Sequence, residues 1–297
     1  MRTVTAFVKR NIKLFFKDKG MFFVSLITPM ILLVLYATFL ADVYRDAYVS
    51  SVPAGLIPDK VIDGCVAGQL FSSLLAVSCV TVAFCSNGLM VQDKVTGVKN
   101  DLLMTPVQES KLALGYYVAS VLSTLLICVA ATGMCFVYIA IQGWYLSVGD
   151  VVLIFVDILL LVLFGTALSS VIHYFLNSQG QISAVGTIVS SGYGFICGAY
   201  MPISQFGEGL QAVLSFLPGT YGTALIRNHS LRGVFAEMEA LGTPEVLVEE
   251  LKGVVDCSFE FFGNTVSIGA MYAVVIGWIV LLLGAYILLH TLKLKRK

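Results

Sequence analysis

Long apolar runs separated by short polar stretches dominate the chain. A helix that crosses a bilayer needs about 20 mainly apolar residues. Six runs meet that need: residues 21–41, 63–91, 112–141, 151–174, 182–200 and 265–290. The second and third are longer than required, so they tilt or extend beyond the lipid. The fold class predicted is all-α integral membrane, a single transmembrane domain over residues 1–297 with six transmembrane helices.

A different pattern precedes the first run. Val4, Val8, Ile12 and Phe15 recur at spacings of four or three, and Lys9, Lys13 and Lys17 recur at four on another face. This predicts a basic amphipathic helix lying in the lipid interface, an elbow over residues 1–19. Between the second and third runs, residues 92–111 read QDKVTGVKNDLLMTPVQESK. A short helix ending before Pro106 is expected there, because the residue before proline avoids the α region. Its apolar Leu102, Leu103 and Met104 either form a docking surface or pack on the chain's own spans.

After the fifth run, residues 198–228 are apolar but interrupted by Gly198, Pro202, Gly207, Gly209, Pro218, Gly219 and Gly222. No straight span tolerates that, and irregular backbone at membrane depth survives only inside protein or beside a wet cavity. The expectation is a pair of short re-entrant or outer helices, one over 210–217. Residues 230–262 are acidic and suit one or two capping helices. Residues 201–262 thus form a re-entrant and extracellular segment between spans five and six.

Composition agrees with the pattern. Hydrophobic residues make up 58% and charged residues 12%, about half the charged share of a soluble domain. The formal net charge is zero, so the chain as a whole lacks the basic footprint of a nucleic-acid binder. Cytoplasmic loops are enriched in Lys and Arg. With the N-terminus inside, Arg2, Lys9, Arg10, Lys13, Lys17, Lys19, Lys94, Lys99, Lys111, Lys293, Lys295, Arg296 and Lys297 fall on the inner side, and only Arg45, Lys60, Arg227, Arg232 and Lys252 fall outside. Both termini are therefore expected in the cytoplasm of a multi-pass plasma-membrane protein. The first run is followed by Ala-Asp-Val-Tyr rather than an A-x-A cleavage pattern, so it reads as a retained span.

Candidate chemistry is sparse. The seven cysteines show no CxxC or Cys/His spacing, which argues against a metal site. Most lie in apolar runs, where a thiol acts as a small hydrophobe; whether Cys65 and Cys257 pair near the outer surface stays open. His173 and His290 fall at inner span ends. No Ser/His/Asp or Cys/His set shares a depth, so no catalytic site is expected. Asp157 sits inside the fourth run, where a carboxylate is costly and a functional candidate. The preferred reading is that it reaches the outer surface about two turns away. Gly186, Ser190, Gly194 and Gly198 recur at four and form a small-residue stripe that lets helices approach closely. A seam between copies, a gate, or packing within the chain all remain open. Tyr193 and Phe195 beside it are candidates for lining a cavity.

The order of these pieces carries a resemblance. An elbow precedes six spans, and a loop with Asp93-Lys94, Gly97 and a Leu-rich run ending in Thr105-Pro106 joins spans two and three. A Gly-x-x-x-Pro element at 198–202 follows span five, then Leu-Pro-x-x-Tyr at 217–221 and Arg227. The whole resembles the ABC-2 type permeases, the membrane subunits of a class of ABC exporters. Asp93-Lys94 stands where that family often carries a Glu-Arg-like pair. The resemblance implies a half-transporter that dimerises with a second copy or a paralogue, in contact with membrane lipid. It implies ATPase coupling through Lys9, Lys13, Lys17, Asp93, Lys94, Gly97, Leu103, Thr105 and Pro106. It implies a dimer seam or translocation path at Gly186, Ser190, Tyr193, Gly194, Phe195 and Gly198, and a re-entrant element held by Pro202, Pro218, Tyr221 and Arg227.

The chain contains no G-x-x-x-x-G-K-[ST] phosphate loop, so ATP and Mg are expected to act only through a partner ABC ATPase. The short outer loop 42–62 and the few intramembrane charges favour an amphipathic small molecule, drug, peptide or lipid as substrate. The alternatives are a polysaccharide or glycolipid exporter, and an ATPase-independent secondary transporter or channel, for which more intramembrane charge or two matching sets of broken helices would be expected. An intramembrane enzyme is disfavoured by the missing nucleophile and base.

Overall fold

The computed structural model describes residues 2–51, 56–105, 107–257, 260–261 and 264–294. Helix α1 (Arg2–Lys17) docks along α6 (Glu109–Gln142). Its buried line is Phe7, Asn11 and Phe15, with Lys9, Lys13 and Lys17 exposed. The apolar stripe expected from the sequence is therefore rotated. Val4, Val8 and Ile12 flank the contact, and Phe7 settles over Gly115, where a Cβ would stand 2.5 Å from its ring. The Asp18 side chain accepts from Met21 N and caps α2 (Lys19–Leu35). A π-helical turn (Tyr36–Leu40) joins α2 to α3 (Ala41–Ser51).

Helix α4 (Asp59–Val95) is the axis of the fold. At 1.5 Å per residue its 37 residues reach about 55 Å, well past a hydrocarbon core of about 30 Å. It packs against α2, α3, α6, α7 (Val148–Phe175), α8 (Gln179–Ile196) and α10 (Pro218–Ala240). Small residues make so many neighbours possible. At the α4–α7 crossing, a Cβ on Gly165 would stand 3.0 Å from Val80 Cα, and at the α4–α10 crossing one on Gly68 would meet Leu231 at 2.6 Å. The buried hydroxyls of Ser72, Ser78, Thr81 and Ser86 donate to carbonyls one turn back in α4, so the helix itself satisfies them.

The loop between α4 and α6 holds the short α5 (Val98–Leu103), as the Pro106 rule anticipates; Pro106 itself lies outside the described residues. A capping box between Ser147 and Asp150 starts α7. After α8 come a 3₁₀ turn (Ile203–Gln205), α9 (Glu208–Leu214), α10 and α11 (Glu245–Val254). A two-residue hairpin follows, β1 (Glu260–Phe261) with β2 (Asn264–Thr265), and then α12 (Ile268–Leu294).

Among the described residues, five helices are long and apolar enough to cross a membrane: Lys19–Ser50, Asp59–Val95, Glu109–Gln142, Val148–Phe175 and Ile268–Thr291. This is a multi-pass all-α membrane architecture. The expected fifth span, 182–200, is present as α8 but is not among these five. It is interrupted by Gly186, Gly192 and Gly194 and is rich in Ser. The expected break near residue 228 is also absent. Pro218 opens α10 at its first turn, and the helix continues through the acidic stretch to Ala240. The helix expected over 210–217 is the shorter α9.

Candidate functional site

The basic end gathers α1, the last turns of α4, and α5. Arg10 makes a two-pronged contact with Asp93, Nη1 to Oδ2 at 2.7 Å and Nη2 to Oδ1 at 3.1 Å, and the Tyr116 hydroxyl donates to Oδ2 at 2.6 Å. The bond to Asp93 raises the Arg10 pKa above its ordinary value, against a smaller opposing effect of burial. Three helices, α1, α4 and α6, thus share one carboxylate. Lys94 turns the other way. Its ammonium donates to the carbonyls of His173, Tyr174 and Leu176, closing the C-terminus of α7, where a cation is favoured by the helix dipole.

Beyond Val95 the chain turns through Gly97, whose φ of +83° suits glycine. The buried Lys99 of α5 pairs with Glu109 at 3.1 Å, and Glu109 lies 3.3 Å from Nδ1 of His290. The Thr105 hydroxyl donates to the Leu102 carbonyl and finishes the turn. Leu102 packs on the core, while Leu103 is half-exposed and Met104 is 88% exposed. A projecting apolar tip is therefore fixed to a network that reaches α1, α6, α7 and α12. Lys9, Lys13 and Lys17 of α1 are exposed.

A groove of about 750 Å³ lies between α2, α4 and α8. Met21, Val24, Ile27 and Ile31 form one wall, Phe84, Cys85 and Gly88 the floor, and Ser183, Gly186, Thr187, Ser190 and Ser191 the other wall. The hydroxyls of Ser183, Thr187 and Ser191 donate to carbonyls one turn back in α8. Their oxygen lone pairs remain free to accept. One wall is apolar and the other accepts hydrogen bonds, which suits an amphipathic molecule.

The small-residue stripe is not one continuous seam. Gly186 and Ser190 line the groove, but Gly194 is buried beneath the Tyr200 ring of the same chain. Gly198, at φ +72°, ends the helix and offers its carbonyl to Arg227. The cavity-lining expectation for the aromatics also changes. Tyr193 is buried against Gly219, away from the groove; Phe195 is 51% exposed and meets Tyr200 edge-on at 5.0 Å. Tyr200 lines the groove instead.

At the opposite end Arg227 is 1% exposed. It donates to the carbonyls of Val255 and Gly198, each at 2.9 Å, and to Ser73 Oγ at 3.3 Å, and lies 3.5 Å from Asp256. Asp256 in turn accepts from the backbone N–H groups of Ile203 and Ser204. Pro202 and Pro218 are buried, and the Tyr221 hydroxyl donates to the Ser215 carbonyl at 2.7 Å. One guanidinium thus ties the irregular stretch after α8 to α4 and to the end of the outer segment. Cys65 and Cys257 are both buried, and both are free thiols.

Asp157 does not reach a surface. It is fully buried and accepts from the Tyr272 hydroxyl at 2.6 Å, with His229 Nδ1 at 2.6 Å from its other oxygen. His173 and His290 are likewise buried. Sequence reasoning missed Tyr116, Glu109, His229, Asp256 and Tyr272 as partners, and treated Arg10 and Lys99 only as orienting charges. All but Lys99, whose partner Glu109 lies ten residues on, pair with residues far along the chain, so only the fold reveals them.

A family model described as ABC-2 type transporter matches residues 2–229. No curated protein matches the chain.

Proposed function

The chain belongs to the ABC-2 type transporter family, and on that premise we propose that it is the permease half of an ATP-driven exporter. Members of this family are membrane components without an ATPase site and partner with an ABC ATPase. The coupling surface is the apolar tip at Leu103 and Met104 together with the lysine face of α1. The observation that carries this reading is the attachment of that tip. Met104 projects while Lys99, Asp93 and Lys94, just before it, are each tied to a different helix. A push on the tip therefore reaches the spans rather than bending a loose loop.

In this reading the basic end faces the cytoplasm, in keeping with the Lys and Arg distribution, and α8 crosses the membrane as the fifth of six spans. A second permease, identical or paralogous, sits across the groove. The exposed Val24, Ile27, Ile31 and Val34 of α2 and Ile188 of α8 supply apolar surface for it. Its substrate is an amphipathic small molecule, drug, peptide or lipid, whose apolar body lies along α2 and whose polar groups meet the α8 hydroxyls. ATP and Mg act at the partner.

Purification from native membranes in a mild detergent tests the reading. An ABC ATPase is expected to co-purify in roughly stoichiometric amount, and Met104→Arg is expected to remove it while leaving the permease folded. A permease that transports without any ATPase would instead support a secondary transporter or channel.

A further inference from the structure

Helix α12 buries one narrow stripe, Met271, Val275, Ile279, Leu282, Tyr286 and His290, at spacings of four, four, three, four and four. Its remaining faces, with Val280, Leu281 and Leu288, are exposed. Most of the stripe is apolar, but both ends carry a polar clasp to another helix. At the basic end, His290 is 2% exposed and sits 3.3 Å from Glu109, which also binds Lys99 of α5. Tyr174 and Tyr286 pack edge-on against the His290 ring, each with centroids at 4.9 Å. At the far end, Tyr272 donates to Asp157, which also holds His229 of α10. The two clasps are 18 residues apart, about 27 Å along a helix.

Both clasps are costly to bury and neither is needed merely to seat an apolar helix beside α7. Each clasp runs through a carboxylate of a main span to an element outside the main spans: through Glu109 of α6 to the coupling helix α5 at one end, and through Asp157 of α7 to the outer helix α10 at the other. We propose that α12 is a strut that carries displacement of α5 to α10, with His290 and Tyr272 as its positioning residues. The proposal rests on the coupling role given to α5 above. A shift of Lys99 pulls Glu109 and His290. The uninterrupted helix between them moves as a body, and Tyr272 then loads the Asp157–His229 contact. The outer end of the path thereby senses the inner end through a route that does not pass through the groove.

Hydrogen–deuterium exchange on the permease alone in lipid nanodiscs tests the strut without a partner. Lys99→Met and His290→Gln are each expected to raise exchange across residues 218–240 by about threefold or more. By reciprocity, Tyr272→Phe should raise exchange across residues 98–103. Arg10→Ala breaks an ion pair at the same end that does not touch α12, and should leave α10 unchanged. Unchanged exchange at α10 in both Lys99→Met and His290→Gln overturns the proposal, and so does an equal rise in Arg10→Ala, which would mean general loosening. In the complex with its ATPase, trapping with ATP and vanadate should alter exchange at α10 in the wild type but not in His290→Gln. If no ATPase binds, the coupling reading fails while the nanodisc experiment still decides the strut.

Discussion

Arg227→Ala is expected to lower the thermal unfolding temperature of the purified permease by on the order of 10 °C, and to cut its yield sharply. Removing one partner of a buried ion pair costs about 3–5 kcal/mol, because the other charge stays buried and unmatched. Here the loss goes further. The Val255 and Gly198 carbonyls lose a charged donor, and Asp256 loses its cationic neighbour. Arg227→Lys should recover little, since one ammonium on a flexible stem cannot span three acceptors that a planar fork meets at once. Arg45→Ala is the control, as its partners Asp59 and Asp63 are partly or largely exposed and such pairs contribute about 1 kcal/mol or less. An Arg227→Ala protein that melts within about 2 °C of the wild type would refute the central role given to this guanidinium.

Asp157→Ala is expected to have the next largest effect. It leaves the Tyr272 hydroxyl and the His229 ring facing a buried space without an acceptor, at a cost of about 3–5 kcal/mol. Asp157→Asn keeps one acceptor oxygen but turns an amide N–H₂ toward a donor, which costs about 1–3 kcal/mol. The expected order of unfolding temperatures is wild type, then Asp157→Asn, then Asp157→Ala. His229→Ala combined with Asp157→Ala should cost less than the sum of the two single changes, because the pair acts as a unit. Additive losses would mean that the two side chains are not coupled.

The helices themselves were legible, because a 20-residue apolar run has few alternatives in lipid. The helix over residues 2–17 and the short helix before Pro106 were legible for similar reasons of period and proline chemistry. The face of α1 was not. Val4, Val8 and Ile12 outnumber Phe7 in an apolar count, but the cradle at Gly115 takes the ring. Nor was the burial of Asp157, since its partners lie 72 and 115 residues away and no local spacing records that. The small stripe in α8 was read as a face of close approach, with a seam, a gate and packing within the chain all open, and local spacing does not show that its members meet different surroundings. Its upper half is filled by Tyr200, which follows only six residues after Gly194 once the helix ends and the chain folds back. The continuation of α10 past residue 228 was hidden because acidic residues were taken as a boundary, whereas the helix places Glu237 and Glu239 on its exposed side and Val234, Phe235 and Met238 inside.

The coupling claim is tested most directly at Met104. A photoreactive cross-linker carried on Met104→Cys, in cells producing the whole complex, should capture the ABC ATPase subunit in a single product. The same reagent on Ile276→Cys, exposed one turn from the Tyr272 clasp at the far end of α12, should capture none. If the Met104→Cys protein yields no ATPase adduct while the ATPase still co-purifies, the projecting tip of α5 is not the surface through which this permease is driven.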